Sequence, residues 1–237
     1  MKKIILYYTC NTHRDDIEQA CRRQLLKAGL PIVSVSLNQH IEFGAWRCTF
    51  TGKPSAETLH AQIYTGLEFI VDNQLGDVVF FCENDVLYHP GHFEFTPERM
   101  DVFYYNEYTY KTDFFNGQSV FYYTKQTSGL CAHAGLLLRH YTRRMERIQA
   151  YGKFDRKIGF EPGCHQLPRG VDNHLAVRWM SEFPNLDIRH DRNATRSKWS
   201  LEDFRDKRTA EGWTLTDIVP YWGVTRARVP QILESIS

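Results

Sequence analysis

The stretch Val78-Val79-Phe80-Phe81-Cys82-Glu83-Asn84-Asp85 decides the fold. The chain enters it through Gly76-Asp77, and its unbroken apolar run has the length and character of a strand buried on both faces, as in a parallel sheet covered by helices. Working back from it, Leu59, Ile63, Leu67, Ile70 and Val71 lie on one helical stripe that Ser55 can cap. Residues 40–54, with Gly44, Gly52 and Pro54, read as a loop. Before it, Pro31 opens a β-type run from Ile32 to Leu37. Ile17, Ala20, Cys21, Leu25 and Ala28 recur at helical spacing, with Gly29 where a C-terminal cap belongs. Thr12-His13-Arg14-Asp15 resembles a capping box with Asp in the place of the usual Glu. Residues 4–9 form the first strand.

Strand–helix–strand–helix–strand order predicts an α/β fold with a mainly parallel sheet flanked by helices. Right-handed crossovers then put the strand C-terminal ends along one edge, where ligands bind in open α/β sheets. Beyond Asp85 the pattern is less regular. Residues 101–112 and 119–124 are tyrosine-rich and β-like, and residues 130–150 suggest a strand leading into a basic helix. The expected organisation is one α/β domain over 1–195, followed by a charged helical C-terminal extension over 196–237 packed on or beside it.

Composition narrows the class. The 237 residues are 42% hydrophobic and 14% aromatic, which supports a packed core and excludes a disordered chain. Lys plus Arg number 29 against 28 Asp plus Glu, so the net charge of +1 excludes a uniformly basic nucleic-acid coat. No apolar run approaches the length of a membrane span. Ile4 to Thr9 is too short for a signal sequence and reads as a mature strand, so a cytoplasmic protein without membrane partners is expected. The six cysteines, with no CxxC, are expected to be free thiols. Cys131-x-His133 with Cys164-His165 fits none of the usual structural zinc spacings.

Glu83-Asn84-Asp85 is the most informative group. Two carboxylates two residues apart at the mouth of a parallel sheet are suited to a hard divalent cation that keeps positions open for phosphate oxygens. A solvated acidic turn would carry the same letters.

The segment Val78 to Pro90 closely resembles the D-x-D region of GT-A glycosyltransferases, especially the family 2-like group. In that family an apolar strand leads into an acidic triplet, an apolar pair and a proline. Ala61-Gln62-Ile63-Tyr64-Thr65-Gly66-Leu67 resembles the preceding helix, and the strand ending in Thr9 with Asn11 resembles the nucleotide-facing strand. The resemblance implies a Rossmann-like GT-A fold, a divalent metal (manganese or magnesium) and a nucleotide-diphosphate sugar as donor, with UDP-glucose as the default. It implies metal ligands among Asp85, Glu83 and the late histidine His190, with Asp85 the safer of the two acids. Thr9, Asn11, Arg14, Asn38, Gln62 and Asn84 would face the nucleotide. Ser36-Leu37-Asn38-Gln39 stands where family members often carry acidic residues, so base recognition would be neutral. The processive Q-x-x-R-W signature is absent in its usual form. Asp172, in Gly170-Val171-Asp172-Asn173-His174-Leu175-Ala176-Val177-Arg178-Trp179, is similar to the family's general base, which would take the proton of an acceptor hydroxyl. It also suits the N-cap of a helix carrying Leu175 and Trp179. Gly129 to Gly135 resembles the small-residue segment lining the acceptor cleft.

Arg192, Arg196 and Lys198 form a basic loop suited to clamping a diphosphate. Between Arg189 and Arg208 cations outnumber anions, a surface that would attract a polyanionic acceptor such as DNA as well as a sugar nucleotide. Some small enzymes of the resembling fold glycosylate hydroxymethylated bases in DNA; a glycan is the other acceptor class. Ser200 to Gly212 reads as a helix, and Leu215 to Val229 reads like a helix-turn-helix with Gly223 at the turn and Arg226 and Arg228 as phosphate contacts, although Pro220 and Pro230 oppose it. The alternative function is therefore a nucleic-acid-binding protein on a non-catalytic α/β scaffold. A nucleotidyltransferase would need a lysine-bearing Gly-rich loop after the first strand, and Cys10-Asn11-Thr12-His13 is not one.

Overall fold

A computed structural model describes residues 1–12, 14–155, 158–193, 196–226, 229 and 233–234. His13, Arg228 and Pro230 lie outside the described residues. The first half follows the expected alternation: β1 (Lys3–Thr9), α1 (Asp15–Leu26), β2 (Ile32–Leu37), β3 (Trp46–Phe50), α2 (Ala56–Asp72) and β4 (Val78–Glu83). After β4 come β5 (Val86–Leu87), β6 (Val102–Asn106), β7 (Thr109–Asp113), β8 (Ser119–Phe121), β9 (Leu130–His133) and α3 (Ala134–Tyr151). The remainder adds β10 (Leu175–Trp179), β11 (Asn185–Arg189), β12 (Thr214–Thr216), β13 (Ile218–Val219) and β14 (Gly223–Val224).

Seven strands form the main sheet in the order β10-β6-β9-β4-β1-β2-β3. Only β9 runs against the others, so the sheet is mixed and mainly parallel. Alternate residues of β1 explain its apolar run. Ile4, Leu6 and Tyr8 pack with Ile63 and Leu67 of α2 and Leu137 and Tyr141 of α3, while Ile5 and Tyr7 face Leu25 of α1 and Phe43. Gly66 lets α2 lie close on the sheet, because a Cβ there would stand 2.3 Å from Leu6 Cδ1. Ser55 caps α2 through Thr58 N at 3.1 Å. Arg14, without a side-chain cap bond, occupies the N-cap of α1, so the expected capping box is absent.

Residues 46–50 correct the loop expected over 40–54. Trp46, Cys48 and Phe50 pack on the core, whereas Arg47 and Thr49 are exposed, a period-two edge strand paired in parallel with β2. A second sheet, β12-β8-β7-β11-β5, begins one residue after Asp85 and stands at the C-terminal edge of the main sheet. One of its faces is apolar: Leu87, Leu186 and Ile188 pack on Ile17, Ala20 and Cys21 of α1 and on Val219.

Residues 201–224 correct part of the expected helical extension, while Val229, Leu233 and Glu234 are helical. Residues 201–203 and 207–210 are short 3-10 turns, and β12 pairs with β8 as an edge strand of the second sheet. The expected helix-turn-helix is a β13–β14 hairpin instead. Pro220, at the turn between the two strands, agrees with this, since it removes a helix hydrogen bond. Gly117, at φ +72°, docks the segment closely: an added Cβ would lie 2.1 Å from Thr225 O. The six cysteines are free, and no described helix is long and apolar enough to cross a membrane.

Candidate active site

The C-terminal ends of β1 and β4 are adjacent, because the two strands pair in parallel with Tyr8 opposite Glu83. That register brings the Tyr8 hydroxyl to Glu83, to which it donates at 2.8 Å. The backbone N–H of Glu83 donates to the Tyr88 hydroxyl. Asp85, 6% exposed, accepts from Asn193 Nδ2 at 2.7 Å, and its carbonyl accepts from Ile188 N at 2.8 Å. The chain leaving β11 is thus fastened to the acidic triplet. Burial, and then the neighbouring Asp85 charge, push Glu83 up to about 8, against the opposing hydrogen bond from Tyr8. Two like charges share a site poor in water, which favours a proton on one of them.

Among the described residues no three His, Cys, Asp or Glu side chains converge as a metal-binding set. His190 is nevertheless near. Its side chain is sealed from solvent, its Nδ1 accepts from Arg192 N at 3.2 Å, and its own N–H donates to Asn193 Oδ1, the residue that bonds Asp85. The donor chemistry at Glu83 and Asp85 therefore fits a hard cation held by one or two carboxylates with water and phosphate oxygens, and does not fit a closed protein cage.

The residues expected to face a nucleotide form a connected rim with most of their polar atoms engaged. Thr9 Oγ1 donates to Glu18 Oε1 at 2.9 Å and accepts from Asn84 Nδ2 at 2.8 Å and from Asn11 N at 3.0 Å. Asn11 Nδ2 donates to Leu37 O, and Gln62 Nε2 to Thr9 O and Val35 O. Asn38 is occupied with both backbone groups of Gly52. These side chains shape the edge between β1, β2 and β4. Glu18, 6% exposed and bonded by Tyr7, Thr9 and Arg22, anchors that rim and was not singled out in the sequence.

Arg14 and Arg192 stand on either side of an open depression of about 420 Å³, with Asp15 and Asp16. Arg14 pairs with Asp16 at 3.1 Å, and Arg192 Nη1 donates to Thr12 O. Arg196 is exposed, while Lys198 is half-buried with its N–H on the Tyr122 hydroxyl. Arg189 is not part of the expected basic surface: it pairs with Asp187 at 3.2 Å, 12% exposed in its side chain. Burial opposes its charge, but Asp187, Asp85 and Glu83 raise its pKa.

Asp172 belongs to a different place. The helix expected after it is the strand β10, parallel to β6, and Leu175 at its start pairs with Val102 at the start of β6. Both β6 and β4 pair with β9, with Tyr104 and Phe80 opposite Cys131. Leu175 is therefore level with Val78, five residues and roughly 16 Å of strand short of Glu83. Asp172 is 3% exposed; its Oδ2 meets His140 Nδ1 at 2.6 Å and its Oδ1 accepts from His174 N at 3.2 Å. The other nitrogen of His140 meets Arg144 Nη2 at 3.1 Å, and Arg144 Nη1 donates to Gly159 O. Burial pushes His140 down to about 4 against the pull of Asp172. Burial works against the Asp172 charge too, but His140 and the His174 N–H hold it below the usual range. Of the segment Gly129 to Gly135 expected to line a cleft, Leu130–His133 is the buried strand β9 and a Cβ at Gly129 would strike Asn106 O at 2.6 Å, whereas Ala134 and Gly135 open α3 and line a depression of about 650 Å³.

The second sheet carries functional groups that sequence reading missed. Asp187, Lys111 and Glu107 are 3%, 3% and 5% exposed. Asp187 pairs with Lys111 in register, and Glu107 lies 3.8 Å from Lys125. The alternation Asp187-Ile188-Arg189 was the available signal, since period two puts both charges on one face.

No family model matches the chain, and no curated protein matches it in sequence. Among solved structures it is similar to a glycosyltransferase involved in the glycosylation of the major capsid of PBCV-1, at 8% identity and a TM-score of 0.42, covering 76% of this chain and 82% of that one. At that TM-score the likeness assigns neither family nor activity.

Proposed function

We propose that the chain is a GT-A-type glycosyltransferase that uses a nucleotide-diphosphate sugar and a divalent cation at Glu83 and Asp85. One observation carries this reading: two carboxylates two residues apart, at the C-terminal end of the central strand, where burial and mutual repulsion push Glu83 up to about 8. The resemblance of Val78 to Pro90 to the D-x-D region supports it. A bound cation would neutralise the charge that grows on the leaving diphosphate. Tyr8 and Asn193 orient Glu83 and Asp85, and Arg14 and Arg192, beside the open depression, are suited to the phosphate oxygens.

In the transfer, the acceptor oxygen bonds to the sugar C1 as the bond from C1 to the diphosphate oxygen breaks. The electron pair leaves with the diphosphate, and the acceptor proton passes to a base. Asp172 has no part in this reading, being closed off by His140 at the other end of the strands. UDP-glucose is the donor to try first, and hydroxymethylated DNA is the first acceptor.

The test is a donor-hydrolysis screen over nucleotide sugars with manganese or magnesium, read by release of free nucleoside diphosphate. Metal-stimulated release is expected from the unaltered chain and should fall about 100-fold or more in Asp85→Asn. No release from any donor, or equal release by Asp85→Asn, would defeat the assignment.

A further inference from the structure

Lys111 is a buried charge that the proposed reaction does not yet use. It lies in the middle of β7, is 3% exposed, and its Nζ has no hydrogen-bond partner. The Tyr122 ring, with its centroid 4.2 Å from Nζ, is a cation–π neighbour and not a counter-ion. The adjacent carboxylates are engaged elsewhere. Asp187 takes Arg189 on both oxygens at 3.2 Å and accepts from Gln126, and Glu107 has Lys125 at 3.8 Å. An ammonium withdrawn from water without a bonded anion is costly, and such groups persist where something else requires them.

Its position says what that is. Val86, Asp187, Lys111 and Val120 are successive register partners across four strands, so their side chains share one face of the second sheet. Val86 follows Asp85 directly along the chain. Asp187 and Arg189 act on Glu83, and Arg189 also acts on Asp85, so a continuous electrostatic cluster links Lys111 to the acidic pair. The cluster has two ends of opposite character: carboxylates crowded together at the end of β4, and an ammonium without a bonded anion on β7. A diphosphate carrying a divalent cation has the complementary order of charge, positive where it meets the carboxylates and negative at its remaining oxygens.

We propose that Lys111 binds a phosphoryl oxygen of the donor diphosphate, on the side away from the cation held by Glu83 and Asp85. This rests on the glycosyltransferase reading and adds a specific ligand to it. Lysine suits the position as a point charge that can meet an oxygen from several directions.

The experiment uses the full chain with pyrophosphate and uridine diphosphate as probes, each with magnesium, and follows binding by calorimetry in the unaltered protein, Lys111→Met and Lys111→Arg. Lys111→Met should weaken both probes at least tenfold, Lys111→Arg less, and the melting temperature of Lys111→Met should be no lower than that of the parent. In lysine-¹⁵N-labelled unaltered protein, the Lys111 Nζ resonance, assigned by its loss in the methionine variant, should shift when pyrophosphate is added. Equal affinity in Lys111→Met, or binding without that resonance shift, overturns the proposal and leaves the diphosphate site standing. A lowered melting temperature at unchanged affinity also overturns it, by making Lys111 a structural ion. Failure of the unaltered protein to bind either probe overturns the diphosphate reading itself, and this proposal with it.

Discussion

Asp172 and the Glu83–Asp85 pair have the same side-chain chemistry in opposite company. Asp172 sits between a histidine and a backbone N–H, and the histidine is fastened by an arginine, so both oxygens of Asp172 and both ring nitrogens of His140 meet a complementary group. Glu83 and Asp85 are set against each other, and each repels the charge of its neighbour. Complementary surroundings hold a carboxylate still and ionised, which serves structure. Conflicting surroundings leave its charge unsettled until something arrives, which is the condition of a binding site. A D-x-D string and a capping Asp look equally promising as letters; what separates them is whether folding surrounds the carboxylate with complementary groups or sets a second carboxylate beside it.

The sharpest way to break this contrast is to remove each acid in turn. Asp172→Ala leaves His140 Nδ1 without its acceptor and the buried Arg144 without that carboxylate charge, and should cost about 3–5 kcal/mol in urea unfolding. Asp85→Asn keeps a polar group against Asn193 and relieves the repulsion on Glu83, so its stability should stay within about 1 kcal/mol of the parent. If Asp85→Asn proved the more destabilising change, the roles assigned to the two sites would have to be exchanged.

The way the two sites came to light also differs. The main sheet was legible because β1, β2 and β4 are buried on both faces, and such strands print as solid apolar runs. The acidic triplet was legible because it directly ends one of those runs. The strand β10 was not: Leu175, Val177 and Arg178 are exposed at the sheet edge, so Leu175 and Trp179 were free to suggest a helical spacing. The tail failed for a related reason. Its strands are two or three residues long and owe their form to β8 and to Gly117, neither of which is near in sequence. Lys111, Asp187 and Arg189 became a site only when β7 and β11, more than seventy residues apart, were paired. Local pattern carries local structure, and a site assembled by register lies beyond it.

The two clusters should also answer pH with opposite sign. Glu83 is raised from 4.5 to about 8, so the folded protein holds a proton that the unfolded chain has lost. Its contribution is complete below pH 4.5 and declines as pH rises to 8. His140 is lowered from 6.5 to about 4, so the unfolded chain takes up a proton that the folded one refuses. Its contribution is present above pH 6.5 and is lost as pH falls to 4. Urea midpoints of Glu83→Gln and the parent should therefore diverge steadily between pH 4.5 and 8: from 6.5 to 8 the parent declines while the variant stays flat, from 4.5 to 6.5 the Glu83 decline offsets the His140 rise in the parent alone, and below pH 4.5 both keep the same acid limb. A variant that tracks the parent across the upper range would mean that Glu83 is ionised in the folded state and that the conflict at the end of β4 is absent.

The smallest expected effect tests how far that conflict is already moderated. Tyr8 donates to Glu83 Oε1 at 2.8 Å, and a donor to a carboxylate favours its charged form. Tyr8→Phe removes one hydrogen bond, worth about 1 kcal/mol, with no change in the packing of the ring against Phe81, whose centroid lies 6.1 Å away. It should also carry the decline in stability past pH 8, because Glu83 without its donor holds the proton longer. The phenol cannot compensate by ionising, since burial and then the Glu83 charge raise its own pKa well above the usual value. A decline that still ends at pH 8 would show that burial and Asp85 alone set the proton affinity of Glu83, with Tyr8 orienting the carboxylate and contributing little to its charge.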